Sequence, residues 1–201
     1  MHFTHDTALA LQGAAALVNT GVRREGDVDE LATVSDLEDF VRRWRWTGRR
    51  TRDRAELDEV RALRPRLATF WEADEEGVAE LVNTLLAEAQ ALPRLVNHDD
   101  LGWHLHATPD DAPLASRMAV EAAMAFGDVL RANELRRLRV CEADDCRDVH
   151  VDLSRNRSRR YCGTTCGNRM AAAAYRERQA ARPTGDGGPA DGSGAAMEDE
   201  A

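Results

Sequence analysis

A mainly α fold is predicted for this chain: a helical N-terminal domain with one small β-hairpin, followed by a small treble-clef-like zinc finger. Three observations predict it. Apolar residues recur at helical spacing through most of residues 1–138, and one stretch at 94–107 switches to strand alternation. The only four cysteines then fall together as C-x4-C-x15-C-x3-C, at Cys141, Cys146, Cys162 and Cys166. Two close thiol pairs from separate turns suit the tetrahedral, sulfur-rich shell of Zn²⁺. A module of about 40 residues buries too little apolar surface to hold itself together. Bound metal can supply the shortfall, roughly 10–16 kcal/mol in small zinc modules.

Each element has its own signal. Leu9, Ala10, Ala14, Leu17 and Val18 share one face of a helix near 6–19. An acidic loop over 22–34 leads to Ser35-Asp36-Leu37-Glu38, the pattern of a capping box opening a helix over 36–46 with Leu37, Phe40, Val41 and Trp44 inward. A third helix from about 53 carries Leu57, Val60, Leu63 and Leu67, and Pro65 is expected to kink or divide it. Residues 75–91 form another through Val78, Leu81, Val82, Leu85 and Leu86. The hairpin pairs 94–98 with 103–107 around Asp99-Asp100-Leu101-Gly102. Pro113 suits the first turn of a helix over 113–132, with Leu114, Met118, Val120, Met124 and Leu130 for the core.

With 201 residues and 43% hydrophobic content, the chain has room for one medium domain and an appendage. The expected regions are 1–138, 139–182 and an acidic, Gly/Pro-rich tail, 183–201, that cannot bury enough to order itself. No apolar run approaches the roughly 18 residues that span a bilayer. The N-terminus reads as an amphipathic helix rather than an export signal, so a cytoplasmic, reducing setting is expected and the cysteines are metal ligands rather than disulfides.

The formal net charge of −9 conceals a basic island. Residues 153–182 hold eight arginines against the single acid Glu177, whereas the rest of the chain is acidic. Concentrated charge of that kind favours one defined docking surface for a polyanion. In Ser154-Arg155-Asn156-Arg157-Ser158-Arg159-Arg160, an extended strand would put Arg155, Arg157 and Arg159 on one face. Arginine forks fit phosphate oxygens, while Asn and Ser offer neutral hydrogen bonds. A hairpin within 147–161 would carry this loop, and a helix starting near Cys162 would bring Cys162 and Cys166 onto one side. His150, four residues after Cys146, is the alternative fourth ligand.

The segment from Cys141 to Arg169, with SRNRSRR, Tyr161-Cys162 and Cys166-Gly167-Asn168-Arg169, resembles the CGNR zinc finger family. Upstream, Leu17-Val18-Asn19-Thr20, the Trp44/Trp46 helix, Leu81-Val82-Asn83 and the Trp103 hairpin are similar to the ABATE domain that accompanies that finger. The resemblance implies a bacterial, stress-related transcription regulator at the nucleoid, with the four cysteines as Zn²⁺ ligands and Asn168-Arg169 as signature residues. The candidate nucleic-acid contacts are Arg155, Asn156, Arg157, Arg159, Arg160, Asn168, Arg169 and Arg176.

Asn19, Trp44, Asn83 and Trp103 are candidates to line an effector pocket in the helical domain, against a simpler role in packing and cross-linking. His104 and His106 share a strand face and could hold a second metal, although alternation alone explains them. No Ser-His-Asp spacing, phosphate loop or HExxH motif points to catalysis. The expected partner is DNA, with a homodimer strengthening a single weak finger. The rival reading is a zinc-stabilised protein-interaction module that does not touch nucleic acid.

Overall fold

The computed structural model describes residues 3–22, 24, 26–97 and 102–181. Six α-helices and two antiparallel hairpins follow in order: α1 (His5–Asn19), α2 (Val34–Arg43), α3 (Arg54–Ala68), a 3-10 turn (Thr69–Trp71), α4 (Glu75–Glu88), β1 (Arg94–Asn97) and β2 (Trp103–His106). Then come α5 (Leu114–Arg131), a second 3-10 turn (Leu135–Arg137), β3 (Leu138–Val140), β4 (Val149–Val151) and α6 (Thr164–Ala180). The prediction of a mainly α chain with a hairpin and a C-terminal finger holds. None of the described helices is long and apolar enough to cross a membrane.

Helix α5 is the centre of the helical part and packs against α1, α3 and α4. Its Phe126 stacks on Phe70 at 4.0 Å between ring centroids and meets the edge of Trp71 at 5.2 Å. One turn after its start, the buried Arg117 guanidinium donates to the carbonyls of Thr47, Ala112 and Arg49, at 3.1 Å to Ala112 and 2.6 Å to Arg49. That clamp fixes the loop before α3. Gly48 passes over it with φ of 84°, and a Cβ there would lie 2.7 Å from the Asp110 carbonyl. Only glycine meets both demands.

Three local expectations are corrected. The cap of α2 is Thr33, not Ser35: Thr33 Oγ1 accepts from Asp36 N at 3.2 Å and Asp36 Oδ2 from Thr33 N at 2.8 Å. Both sites carry capping-box spacing, but Glu38 is drawn away to Arg50 at 2.6 Å, inside a cluster where Arg50 also meets buried Glu56 at 2.9 Å. Pro65 does not divide α3. The Arg61 carbonyl that proline cannot bond accepts instead from Arg64 Nε at 3.3 Å.

The third correction concerns the finger. No hairpin forms within 147–161; the hairpin is β3 against β4, with Leu138 facing Val151 and Val140 facing Val149, and the first cysteine pair lies in its loop. Val149 and Val151 are buried in the same apolar core as α1, α3 and α5. The expected boundary at 138/139 therefore falls inside β3. A finger this small cannot bury both faces of its own hairpin, so it borrows the surface of α1. The tail expected to be disordered lies outside the described residues.

Candidate metal centre and nucleic-acid interface

The loop after β3 turns tightly at the first pair. Cys141 N donates to the Asp148 carbonyl at 2.8 Å, and Cys146 N to that of Ala143 at 2.9 Å. Cys162 precedes α6 and Cys166 sits in its first turn, because the helix starts at Thr164 with Gly163 as cap rather than at Cys162. The four Sγ atoms nevertheless converge, all within 4.8 Å of one another. Cys162 Sγ is 3.7 Å from those of both Cys146 and Cys166. All four are free thiols.

That separation is diagnostic. A tetrahedron with Zn–S bonds of about 2.3 Å has edges of about 3.8 Å, whereas a disulfide would need roughly 2 Å. Burial pushes the Cys146 thiol up to about 11, and burial, followed by the neighbouring Asp148 carboxylate, raises Cys162 as well. Cys141 goes the other way: burial opposes it, but the amides of Ala143 and Cys162 aimed at its sulfur outweigh that and lower it. Four sulfurs packed this closely need a compensating positive charge, which a soft cation supplies and protons supply poorly.

Residues 137–179 match the CGNR zinc finger, and residues 12–133 match the ABATE family, described as "Putative stress-induced transcription regulator". The chain belongs to the ABATE family. It carries the CGNR finger behind that domain, in the order the sequence predicts, and the four-cysteine cluster is consistent with Zn²⁺ as its cofactor. No curated protein matches the chain.

In this ABATE–CGNR protein the arginine run is a turn, not an extended strand. Arg157 N donates to the Ser154 carbonyl at 3.3 Å, and Arg157 adopts φ of 52°. The cause is Asp152, fully buried, whose carboxylate accepts from Ser154 N at 2.9 Å, Ser154 Oγ at 2.6 Å and Arg159 N at 2.9 Å. Burial disfavours that charge, but the Ser154 and Arg159 hydrogen bonds outweigh it and lower the carboxyl's pKa. Beneath the turn, buried Arg137 donates to the carbonyls of Asp152 at 2.7 Å and Ser154 at 3.0 Å, and to Glu134 at 3.0 Å. Sequence reasoning missed Glu134, Arg137 and Asp152. Their one visible signal was charge flanking an arginine run.

The turn sorts the candidate contacts. Arg155, Asn156, Asn168 and Arg176 are exposed and make no side-chain hydrogen bond among the described residues. Arg157 is exposed as well, but its guanidinium lies in ion-pair range of Glu134, at 3.9 Å. The other three turn back on the finger. Arg159 donates to the carbonyls of Tyr161 and Cys162, Arg160 pairs with Glu142 at 2.6 Å, and Arg169 pairs with Asp145.

The expected effector pocket is not built by its four candidates. Asn19 instead clasps β4: its Nδ2 donates to the Val149 carbonyl at 2.9 Å and its Oδ1 accepts from Val149 N at 2.8 Å. Trp44 lies against Gly13 of α1, Asn83 is exposed on α4, and Trp103 is 73% exposed on β2. A cavity of about 10 Å³ between α1 and α5, lined by Gly13, Trp46 and Met118 among others, has room for a single water at most. A cleft of about 160 Å³ beside the start of α3, with Arg49, Asp53, Glu56, Glu59 and Asp111 on its walls, includes none of the four.

His150 stands apart from the metal cluster. It is buried with Nε2 at 3.3 Å from the Arg159 carbonyl, and burial lowers its pKa, so it packs as a neutral ring under the arginine turn. His104 and His106 meet through their Nε2 atoms at 3.2 Å, and His104 Nδ1 lies 2.8 Å from the Gly102 carbonyl. That contact is a hydrogen bond in itself.

Proposed function

We propose that this chain is a cytoplasmic, nucleoid-associated transcription regulator whose finger binds DNA. Cys141, Cys146, Cys162 and Cys166 would hold one Zn²⁺, which ties the β3–β4 loop to the start of α6. Arg155, Arg157 and Arg176 would contact phosphates, with Asn156 and Asn168 placed for base edges or sugar. The helical region, which includes the family match over residues 12–133, would carry the finger, and we assign no catalysis to it. The observation that carries this reading is the exposed Arg155–Arg157 turn held from below by the buried Asp152 and Arg137 beside the four-cysteine cluster. A buried network spent on shaping a surface turn is what preorganised recognition requires.

Fluorescence anisotropy on duplex genomic fragments tests it. Three arginine–phosphate contacts give a salt slope of roughly −2.7, and Arg155→Ala or Arg157→Ala should each reduce it by about 1. A chelator should abolish binding, and zinc should restore it. Binding that ignores the metal, or no binding to any fragment, would refute the reading.

A second reading has its own support, since Arg159, Arg160 and Arg169 already satisfy acceptors of the finger itself. On that reading the finger docks on an acidic protein. Capture of one protein partner that survives nuclease treatment and requires Arg155 and Arg157 would favour it.

A further inference from the structure

Among the described residues, one face of the β1–β2 hairpin is largely exposed. Its register sets Leu95 opposite Leu105 and Asn97 opposite Trp103, and strand alternation puts these four side chains on the same side. Trp103 is 73% exposed, Leu95 68% and Leu105 46%. Leu92, held to the hairpin by its amide on the Ala107 carbonyl at 2.8 Å, is 75% exposed. On the opposite face His104 is buried, with Nδ1 2.8 Å from the Gly102 carbonyl and Nε2 3.2 Å from His106 Nε2, so burial falls on one side of the hairpin. Contiguous apolar surface of this kind marks an interaction site rather than ordinary surface composition.

We propose that this face is where two copies of the chain meet in a two-fold dimer. Charge permits a second copy. The chain carries a net charge of −9, yet Leu95, Asn97, Trp103 and Leu105 include no ionisable group, so contact through them sets no charges directly against each other. Area argues for one. The exposed Trp and three Leu side chains present on the order of 500–600 Å² per copy, and two such faces reach the roughly 1,000–1,200 Å² at which specific interfaces begin. A two-fold axis lets one patch serve both sides, as isologous dimers require. The hairpin gains as well, since two isolated strands are marginal until something covers them.

Sedimentation equilibrium of the nuclease-treated, zinc-loaded full chain tests the proposal. The wild type should approach twice its 22.2 kDa chain mass and dissociate on dilution. Trp103→Asp and, separately, Leu95→Glu should each shift the molecule to the single-chain mass while circular dichroism and zinc content stay unchanged. Hydrogen exchange on the wild type provides a readout that needs no variant. Protection over 94–97 and 103–106 should rise with concentration and fall with dilution. A wild type that stays monomeric, a dimer indifferent to both substitutions, or concentration-dependent protection confined to another surface would overturn the proposal. The arginine turn shares no residue with this face, so that result would leave the nucleic-acid reading standing.

Discussion

The two hairpins of this protein are near equals in length and opposites in fate. In β3–β4, Val149, His150 and Val151 are all buried, the valines against α1 and the core, and His150 under the arginine turn. In β1–β2, His104 is buried on one face and the other shows Leu95, Trp103 and Leu105 to solvent. The difference does not come from the strands. It comes from what the neighbouring elements offer. Asn19 at the end of α1 gives Val149 both a donor and an acceptor, imitating the strand that is missing from that edge, and Trp71 Nε1 donates to the His150 carbonyl at 3.0 Å. The finger is thus tied to the ABATE core by hydrogen bonds as well as by apolar contact, while its far side is left to the metal.

Breaking the ties of the buried hairpin should cost most. Arg137→Ala removes the hydrogen-bonded partner of Glu134, leaving it the looser Arg136 and Arg157 at 3.6 and 3.9 Å, and takes the donor from two carbonyls, so a loss of about 3 kcal/mol is expected in chemical denaturation. Asn19→Ala leaves the Val149 amide and carbonyl without partners and should cost about 2–3 kcal/mol. In both variants the loss should reach the finger: zinc release to a chelator should quicken, because the β3–β4 loop holds the first cysteine pair.

A pH comparison separates the helical core from the metal. Glu121 on α5 is pushed up to about 7, chiefly by burial and further by Asp6, against the opposing pull of Arg117. Its folded value lies above its unfolded one, so the folded state holds the extra proton. Its contribution is most favourable below about pH 4.5 and is lost as pH rises through about 7. Glu121→Gln should therefore stabilise the protein at pH 8 by about 1–3 kcal/mol relative to wild type and make little difference at pH 5. Denaturation midpoints at the two pH values check it. Equal effects at both would show that Glu121 is charged throughout.

The smallest effect belongs to the open hairpin. Leu95→Ala, measured at dilution, should change stability by no more than about 0.5 kcal/mol. A loss as large as that of Asn19→Ala would mean that Leu95 is packed within its own chain, and the contrast between the hairpins would disappear.

Legibility in the sequence followed the range of the interactions. Helical stripes such as Leu57, Val60, Leu63 and Leu67 record a repeating local geometry, and they appear as read. The cysteine spacing was equally open, since little besides tetrahedral thiolate chemistry calls for two close pairs set apart in this way. The turn at Arg155–Arg157 was hidden because Asp152, three residues upstream, gathers amides across seven residues, and alternation of arginines says nothing about that. Buried Arg137 and Glu134 were hidden for a different reason: a charged pair inside looks in the sequence like two charges outside. Asn19 was legible as a cross-linking residue, but its partner 130 residues away was not.

The finger stands or falls with its metal. Elemental analysis of reduced, purified full-length protein should find one zinc per chain, and Cys146→Ser or Cys162→Ser should each abolish stoichiometric binding. Wild-type protein without zinc, or zinc retained at full occupancy after both sulfurs are removed, would contradict it.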